Sequence, residues 1–275
     1  MKITIQSTKY SIKNFIYLFP LCVIPAFFLS FTLAREEFFS VFEKFTQQSL
    51  NKLSFTEIFH VVSLFNFSSM PAVLGGLIGF IAIVLCVAMV MAFTDKHMRI
   101  GKRTFNGLFA RLNDNLLSTF GVAFLLFVIY ELWAVLSAAI FLLVAQLPFI
   151  GACIALAALF VVLTFALLYM VASVYLWLPC MQITGFKAFE ALRYSNILCE
   201  PIKGKLVVAQ FIILFLSEIL ITVSVLCLPQ MEVVSLIVAT VLYALMIMIF
   251  CVRMQMCYLD RTQTERADLK TYYNY

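Results

Sequence analysis

Charged side chains are what this chain has least of. They make up 12% of its 275 residues, while 64% are hydrophobic. A soluble domain carries about 25% charged residues. No water-soluble fold could cover so much apolar surface, so the solvent for most of the chain is lipid. Histidine is nearly absent: the only two are His60 and His97, on opposite sides of the predicted membrane. The eight cysteines include no CxxC pair. A zinc site needs clustered ligands, so no metal and no cofactor is expected. There is no GxxxxGK[ST] phosphate loop, because Gly75-Gly76-Leu77-Ile78-Gly79 lies inside an apolar run. Nothing is left over for a sizeable soluble catalytic domain, so residues 1–275 read as one integral membrane domain.

Six apolar runs are present instead, roughly 14–34, 71–94, 116–146, 149–181, 205–228 and 232–256. Each is long enough to cross a hydrocarbon core of about 30 Å. The expected fold class is all-α: a polytopic membrane bundle of six transmembrane helices with amphipathic surface helices. The first run follows a basic start and could pass for a signal peptide. It is longer than the roughly 7–15 apolar residues of such a segment, and it contains Pro20 and Pro25. An uncleaved, kinked span is expected, the nearest thing here to a broken one.

The basic residues alternate. Lys2, Lys9, Lys13, Lys96, Arg99, Lys102, Arg103, Arg111, Lys187, Arg193, Lys203, Lys205, Arg253, Arg261, Arg266 and Lys270 fall on one set of connections. Only Arg35, Lys44 and Lys52 fall on the other, which divides the 19 basic residues sixteen to three. The positive-inside rule then puts both termini in the cytoplasm of a multi-pass plasma (inner) membrane protein. The net charge of +5 is explained by this topology and by anionic lipid headgroups, not by nucleic acid. Cys153 and Cys227 alone approach the outer face, where packing is their expected role; whether they pair is open at this level.

The connections carry further signals. Gly75 and Gly79 form a GxxxG pair, which lets another helix backbone approach closely. In the long outer loop, Ser54-Phe55-Thr56-Glu57 reads as a capping box. Ile58, Val61, Val62 and Phe65 follow at helical spacing, as do Phe38, Val41, Phe42 and Phe45 before it. Two amphipathic helices on or in the outer leaflet are expected, as a connector or as a lid. On the inner side, Gly101-Lys102-Arg103-Thr104-Phe105-Asn106-Gly107-Leu108-Phe109 aligns with Gly185-Phe186-Lys187-Ala188-Phe189-Glu190-Ala191-Leu192-Arg193. Phe105 and Leu108 thereby match Phe189 and Leu192, and two short cytoplasmic surface helices are expected. Span, surface helix, span then occurs twice, as a parallel repeat.

Only two formally charged residues fall deep inside the runs, Glu131 and Glu218. A charge near the bilayer centre costs about 2.5–3.5 kcal/mol on insertion scales. Counted from the predicted inner ends, the two lie about 22 Å and 20 Å along corresponding helices. They define a candidate intramembrane polar site with Tyr130 and Gln210; Tyr169, Tyr175 and Tyr243 are the other polar groups within the spans. No histidine, lysine or arginine joins them deep in a span. That is too sparse for acid–base catalysis, so no catalytic residue is assigned. Two roles remain: a proton or cation relay, or carboxyl groups hydrogen-bonded between helices.

The run Phe189-Glu190-Ala191-Leu192-Arg193-Tyr194-Ser195-Asn196 and the tail Tyr258-Leu259-Asp260-Arg261, then Glu265-Arg266-Ala267-Asp268-Leu269, resemble a bacterial membrane-domain family. That family includes the membrane part of some glycerophosphoryl diester phosphodiesterases and many stand-alone six-span proteins. The resemblance covers the last third of the chain by motif and the rest by span layout. It implies a fold and a membrane location, and no catalytic residue carries over. The expected function is therefore a non-enzymatic membrane scaffold or partner subunit, in contact with the bilayer, with anionic headgroups and with a membrane or cytoplasmic protein. The alternative is a proton- or cation-coupled transporter or lipid-handling protein that uses Glu131 and Glu218.

Overall fold

A computed structural model describes residues 2–64, 66–105, 108–227 and 231–269. Among them there is no strand. The helices are α1 (Lys2–Lys13), α2 (Phe15–Ser30), α3 (Arg35–Thr46), α4 (Phe55–Val62), α5 (Met70–Ile100) and α6 (Leu108–Val144), followed by α7 (Phe149–Ser173), α8 (Trp177–Thr184), α9 (Ala188–Cys199), α10 (Lys203–Cys227) and α11 (Glu232–Arg261). Five segments are long and apolar enough to cross a membrane: α5, Leu116–Val144 of α6, α7 with α8, α9 with α10, and α11. A sixth is added if α1 and α2, bent by 97°, count as one. The protein is an all-helical membrane bundle.

The bundle has two unlike ends. One gathers α1, the 101–105 and 185–187 turns and the end of α11, and is rich in lysine and arginine; it is called here the basic end. The other carries the 31–69 connection with α3 and α4, and is called the loop end.

α5 touches α6, α6 touches α7, α7 touches α10, α10 touches α11, and α11 returns to α5. The long helices thus close a circuit. α2 lies in the groove between α5 and α11, and these two contacts are the most extensive in the fold. The GxxxG pair is the reason α2 can sit so deep. A Cβ on Gly75 would meet Phe31 Cβ at 2.8 Å and Phe28 O at 2.9 Å, and one on Gly79 would meet Leu29 Cδ2 at 3.2 Å.

Asn14 makes the right angle before α2. Its backbone N–H and its side-chain amide both donate to Tyr10 O, closing α1, while its own carbonyl accepts from Tyr17 and Leu18 to open α2. Pro20 and Pro25 sit inside α2, which stays one helix. The first span is therefore shorter than the 14–34 run.

The expected surface helices need correction. Residues 101–105 are irregular, and α6 begins at Leu108 and runs on as one helix of 37 residues. Phe105 does not sit on a separate helix: it folds back, stacking on Phe93 at 5.2 Å between ring centroids. The second expected helix does form, as α9, but α9 and α10 together make one spanning-length segment of 40 residues. Each unit of the anticipated repeat is therefore a long helical hairpin rather than two spans with a surface helix between. The two aligned glycines do correspond. Gly101 ends α5 at φ 81° and Gly185 ends α8 at φ 72°, a left-handed conformation that side chains other than glycine's rarely adopt.

One span is broken. α7 stops at Ser173 and α8 starts at Trp177. The Leu176 N–H freed in the gap donates to Ser195 Oγ of α9 at 2.9 Å. The amide that the break would strand in an apolar setting is thereby satisfied.

Candidate functional site

Two polar centres stand out, one at each end of the bundle. At the loop end, α4 begins with the capping box: Ser54 N–H donates to Glu57 Oε2 at 2.8 Å, and Glu57 N–H donates to Ser54 Oγ at 3.3 Å. Glu57 also accepts from Lys44 Nζ at 2.6 Å and from Ser40 Oγ at 2.5 Å, which braces α3 on α4. Glu37 and His60 Nδ1 form a second brace at 3.1 Å. Phe65 lies outside the described residues. Below these braces the helices share a small apolar cluster with the α6–α7 hairpin, made of Leu50, Leu53, Ile58, Ala138, Ala145 and Ala152.

Burial pushes the Glu57 carboxyl up, but hydrogen bonds from Lys44, Ser40 and Ser54 outweigh it and hold the group down at about 2. A carboxyl depressed on folding stabilises fully above its unfolded value, roughly 4.3. That stabilisation is lost as the pH falls from there through the folded value. Pepsin cleavage within residues 35–62 is therefore expected to rise as the pH drops through this window. In Glu57→Gln the step should be absent, and an unaltered profile would count against the clamp.

The end of α4 is gripped by α6. Ser63 Oγ donates to Glu131 Oε2 at 2.6 Å, Leu64 N–H donates to Glu131 Oε1 at 3.1 Å, and Tyr130 OH donates to Val62 O at 2.6 Å. Val62 closes α4, so its carbonyl lacks an intrahelical donor, and the tyrosine supplies one. Both Glu131 oxygens act as acceptors for the connection.

Glu218 has a different setting. It is exposed on α10 and lines a cavity of about 80 Å³ with Arg35, Phe38, Val61 and Thr222 among its neighbours. Tyr130 is within electrostatic range of both glutamates, and Tyr243 of α11 is within range of Glu218 and Tyr130. Glu131, Glu218 and Tyr130 thus share the loop end. Gln210 does not join them: it sits about 12 Å back along α10.

The basic end holds the polar residues that sequence reasoning missed. Nine consecutive α11 residues, Cys251 to Leu259, are buried, which requires protein on every side of the helix; α11 packs against α1, α2, α5, α8 and α10. Arg253, counted above among the basic residues of the inner connections, is 1% exposed. Its Nε donates to Tyr175 OH at 2.9 Å, and Tyr175 OH donates to Phe250 O at 3.0 Å. Asp95 of α5, also 1% exposed, accepts from Gln255 Nε2 at 3.0 Å and Arg99 Nη2 at 2.5 Å. One signal was present in the sequence. Arg253 and Gln255 stand about 200° apart on a helix otherwise apolar all round, so the segment never becomes amphipathic as a helix entering water would.

All eight cysteines, Cys153 and Cys227 included, are free thiols. Among the described residues no group of three or more histidine, cysteine, aspartate or glutamate side chains could hold a metal ion. Phe189 is 81% exposed on α9, whereas Leu192 of the same helix packs against the core. No protein-family model, curated protein or solved structure matches the chain. What fold and site define is a class: a helical membrane protein whose polar side chains link its own elements at both ends.

Proposed function

We propose that this protein is a non-enzymatic scaffold or partner subunit of a bacterial plasma membrane, with both termini in the cytoplasm. The observation that carries this reading is the engagement of Glu131. A carboxylate inside an apolar helix is a functional site by default, yet here both oxygens are occupied in fastening residues 63 and 64 to α6. The inner polar centre likewise joins α5 to α11 and α11 to the α7–α8 break. Kinship with the six-span family belongs to this proposal. It rests on the two motifs, 189–196 and 258–269, and on the helical membrane architecture.

If Glu131 is a fastener, Glu131→Gln keeps an acceptor for Leu64 N–H and should leave the connection in place. Glu131→Ala should leave the Leu64 N–H without its acceptor, at about 1–3 kcal/mol, and make residues 55–69 readily cleaved by added protease. A partner-subunit role further predicts that Phe189→Asp strips co-purifying protein without reducing the folded amount.

Glu218 supports a second reading, a proton- or cation-coupled transporter, because it is exposed beside a cavity under α3 and α4. Proteoliposome flux separates the two. Scaffolding predicts no proton-dependent flux, whereas flux abolished by Glu218→Gln at an unchanged folded amount would overturn it in favour of transport.

A further inference from the structure

α1 keeps apolar side chains on both of its sides. Towards the bundle, Ile3 and Tyr10 pack on the main apolar core, and Ser7, Ser11 and Asn14 beside them are at most 1% exposed. The side left open carries Ile5, 57% exposed, and Ile12, 69% exposed, with exposed Lys9 and Lys13 beside them. At 3.6 residues per turn the two isoleucines share one edge, and the lysines lie within about 100° of it. α1 contains three lysines and no acidic residue.

This open face is held in a set position. Tyr10 OH is hydrogen-bonded to His97 Nδ1 of α5 at 2.6 Å, and α1 rests along α11. The 97° bend turns α1 across the axis of α2. With α2 crossing the bilayer, α1 lies parallel to its surface. Beyond Asn14 the apolar edge runs on into α2 through Phe15 and Ile16, 39% and 82% exposed.

We propose that α1 is an interfacial helix whose partner is the anionic inner leaflet: Ile5 and Ile12 enter the acyl boundary while Lys9 and Lys13 take lipid phosphates. A lone apolar edge flanked by positive charge, at right angles to a span, matches a headgroup–acyl boundary. The leaflet assignment rests on the orientation proposed above; the lipid contact itself does not.

The test uses the full-length protein in nanodiscs, with Ile12→Trp as probe and the parent, which contains Trp133 and Trp177, as blank. Acyl-brominated phosphatidylcholine is expected to quench the added indole. Brominated phosphatidylglycerol should quench it more at equal mole fraction, and Lys9→Gln or Lys13→Gln should each lower that preference about fivefold. Quenching no greater than in the parent would overturn the proposal and leave the face to a protein partner. Equal quenching by both lipids, insensitive to the lysines, would overturn the headgroup assignment. Ile5→Trp gives the same reading if Ile12→Trp does not fold. Because nanodiscs offer the anionic lipid on both faces, a reporter fused after Tyr275 that appears outside the cell would overturn the orientation while leaving the lipid contact standing.

Discussion

Gly75→Leu is expected to abolish the folded bundle, and Gly75→Ala to destabilise it by about 1–3 kcal/mol, the range for overpacking a well-fitted contact. An added Cβ would lie 2.8 Å from Phe31 Cβ and 2.9 Å from Phe28 O. One of these is a backbone atom and the other is bonded to the backbone, so neither moves unless α2 moves. α2 cannot move cheaply. It is 16 residues long with two internal prolines, and its place depends on the groove between α5 and α11. Gly79→Ala should be milder, because its Cβ would meet a leucine side-chain end at 3.2 Å and a backbone N at 3.3 Å. Gly121 and Gly151 supply the contrast, since a Cβ there meets nothing within 4 Å. Replacing either by alanine should raise stability by up to about 1 kcal/mol through helix propensity. Thermal midpoints in detergent, with the monodisperse yield, measure the series. A Gly75→Leu protein with a parental midpoint would mean that α2 does not dock on α5 in this way.

Asp95→Leu should be the most damaging polar substitution, at about 1–3 kcal/mol, the cost of leaving buried hydrogen-bond donors without their acceptor. Gln255 Nε2 and Arg99 Nη2 both donate to this carboxylate, and α5 and α11 are joined there with Gln255 itself 1% exposed. Asp95→Asn keeps an acceptor for Gln255 and should cost about 1–2 kcal/mol. Removing both buried groups in Asp95→Leu with Gln255→Leu should recover part of the loss, because no stranded amide then remains. A double-mutant cycle read by thermal denaturation gives the coupling. Strict additivity would show that the bond between α5 and α11 carries no energy.

How far such features could be read in advance depended on range. The Ser54–Glu57 capping box was legible because both partners lie within one helical turn. The tight contact of Gly75 and Gly79 was legible as a pattern, but its partner, Phe28 to Phe31 at the end of α2, was not. Glu131 announced itself by composition alone. Its partners, Ser63 and Leu64, stand 68 and 67 positions away, and no local spacing encodes that distance. The enclosure of Arg253 and Asp95 was not legible, because hydropathy locates a residue along a helix axis and says nothing of the helices around it. The surface helix expected around Phe105 failed for a related reason. A glycine followed by basic residues marks the end of α5, and it does not say whether the next helix is short or belongs to the following span.

By itself, the amino-acid sequence determined that this is a helical membrane protein. Apolar runs have no stable place except lipid, and backbone groups in lipid must bond within their own helix. Tertiary structure alone decided what the polar side chains do. Glu131 grips a distant connection, Asp95 joins α5 to α11, Arg253 is enclosed beside a helix break, and Glu218 is left open at a cavity. Those outcomes follow from how the helices dock, because a hydrogen-bond partner is settled by position in space and not by separation along the chain.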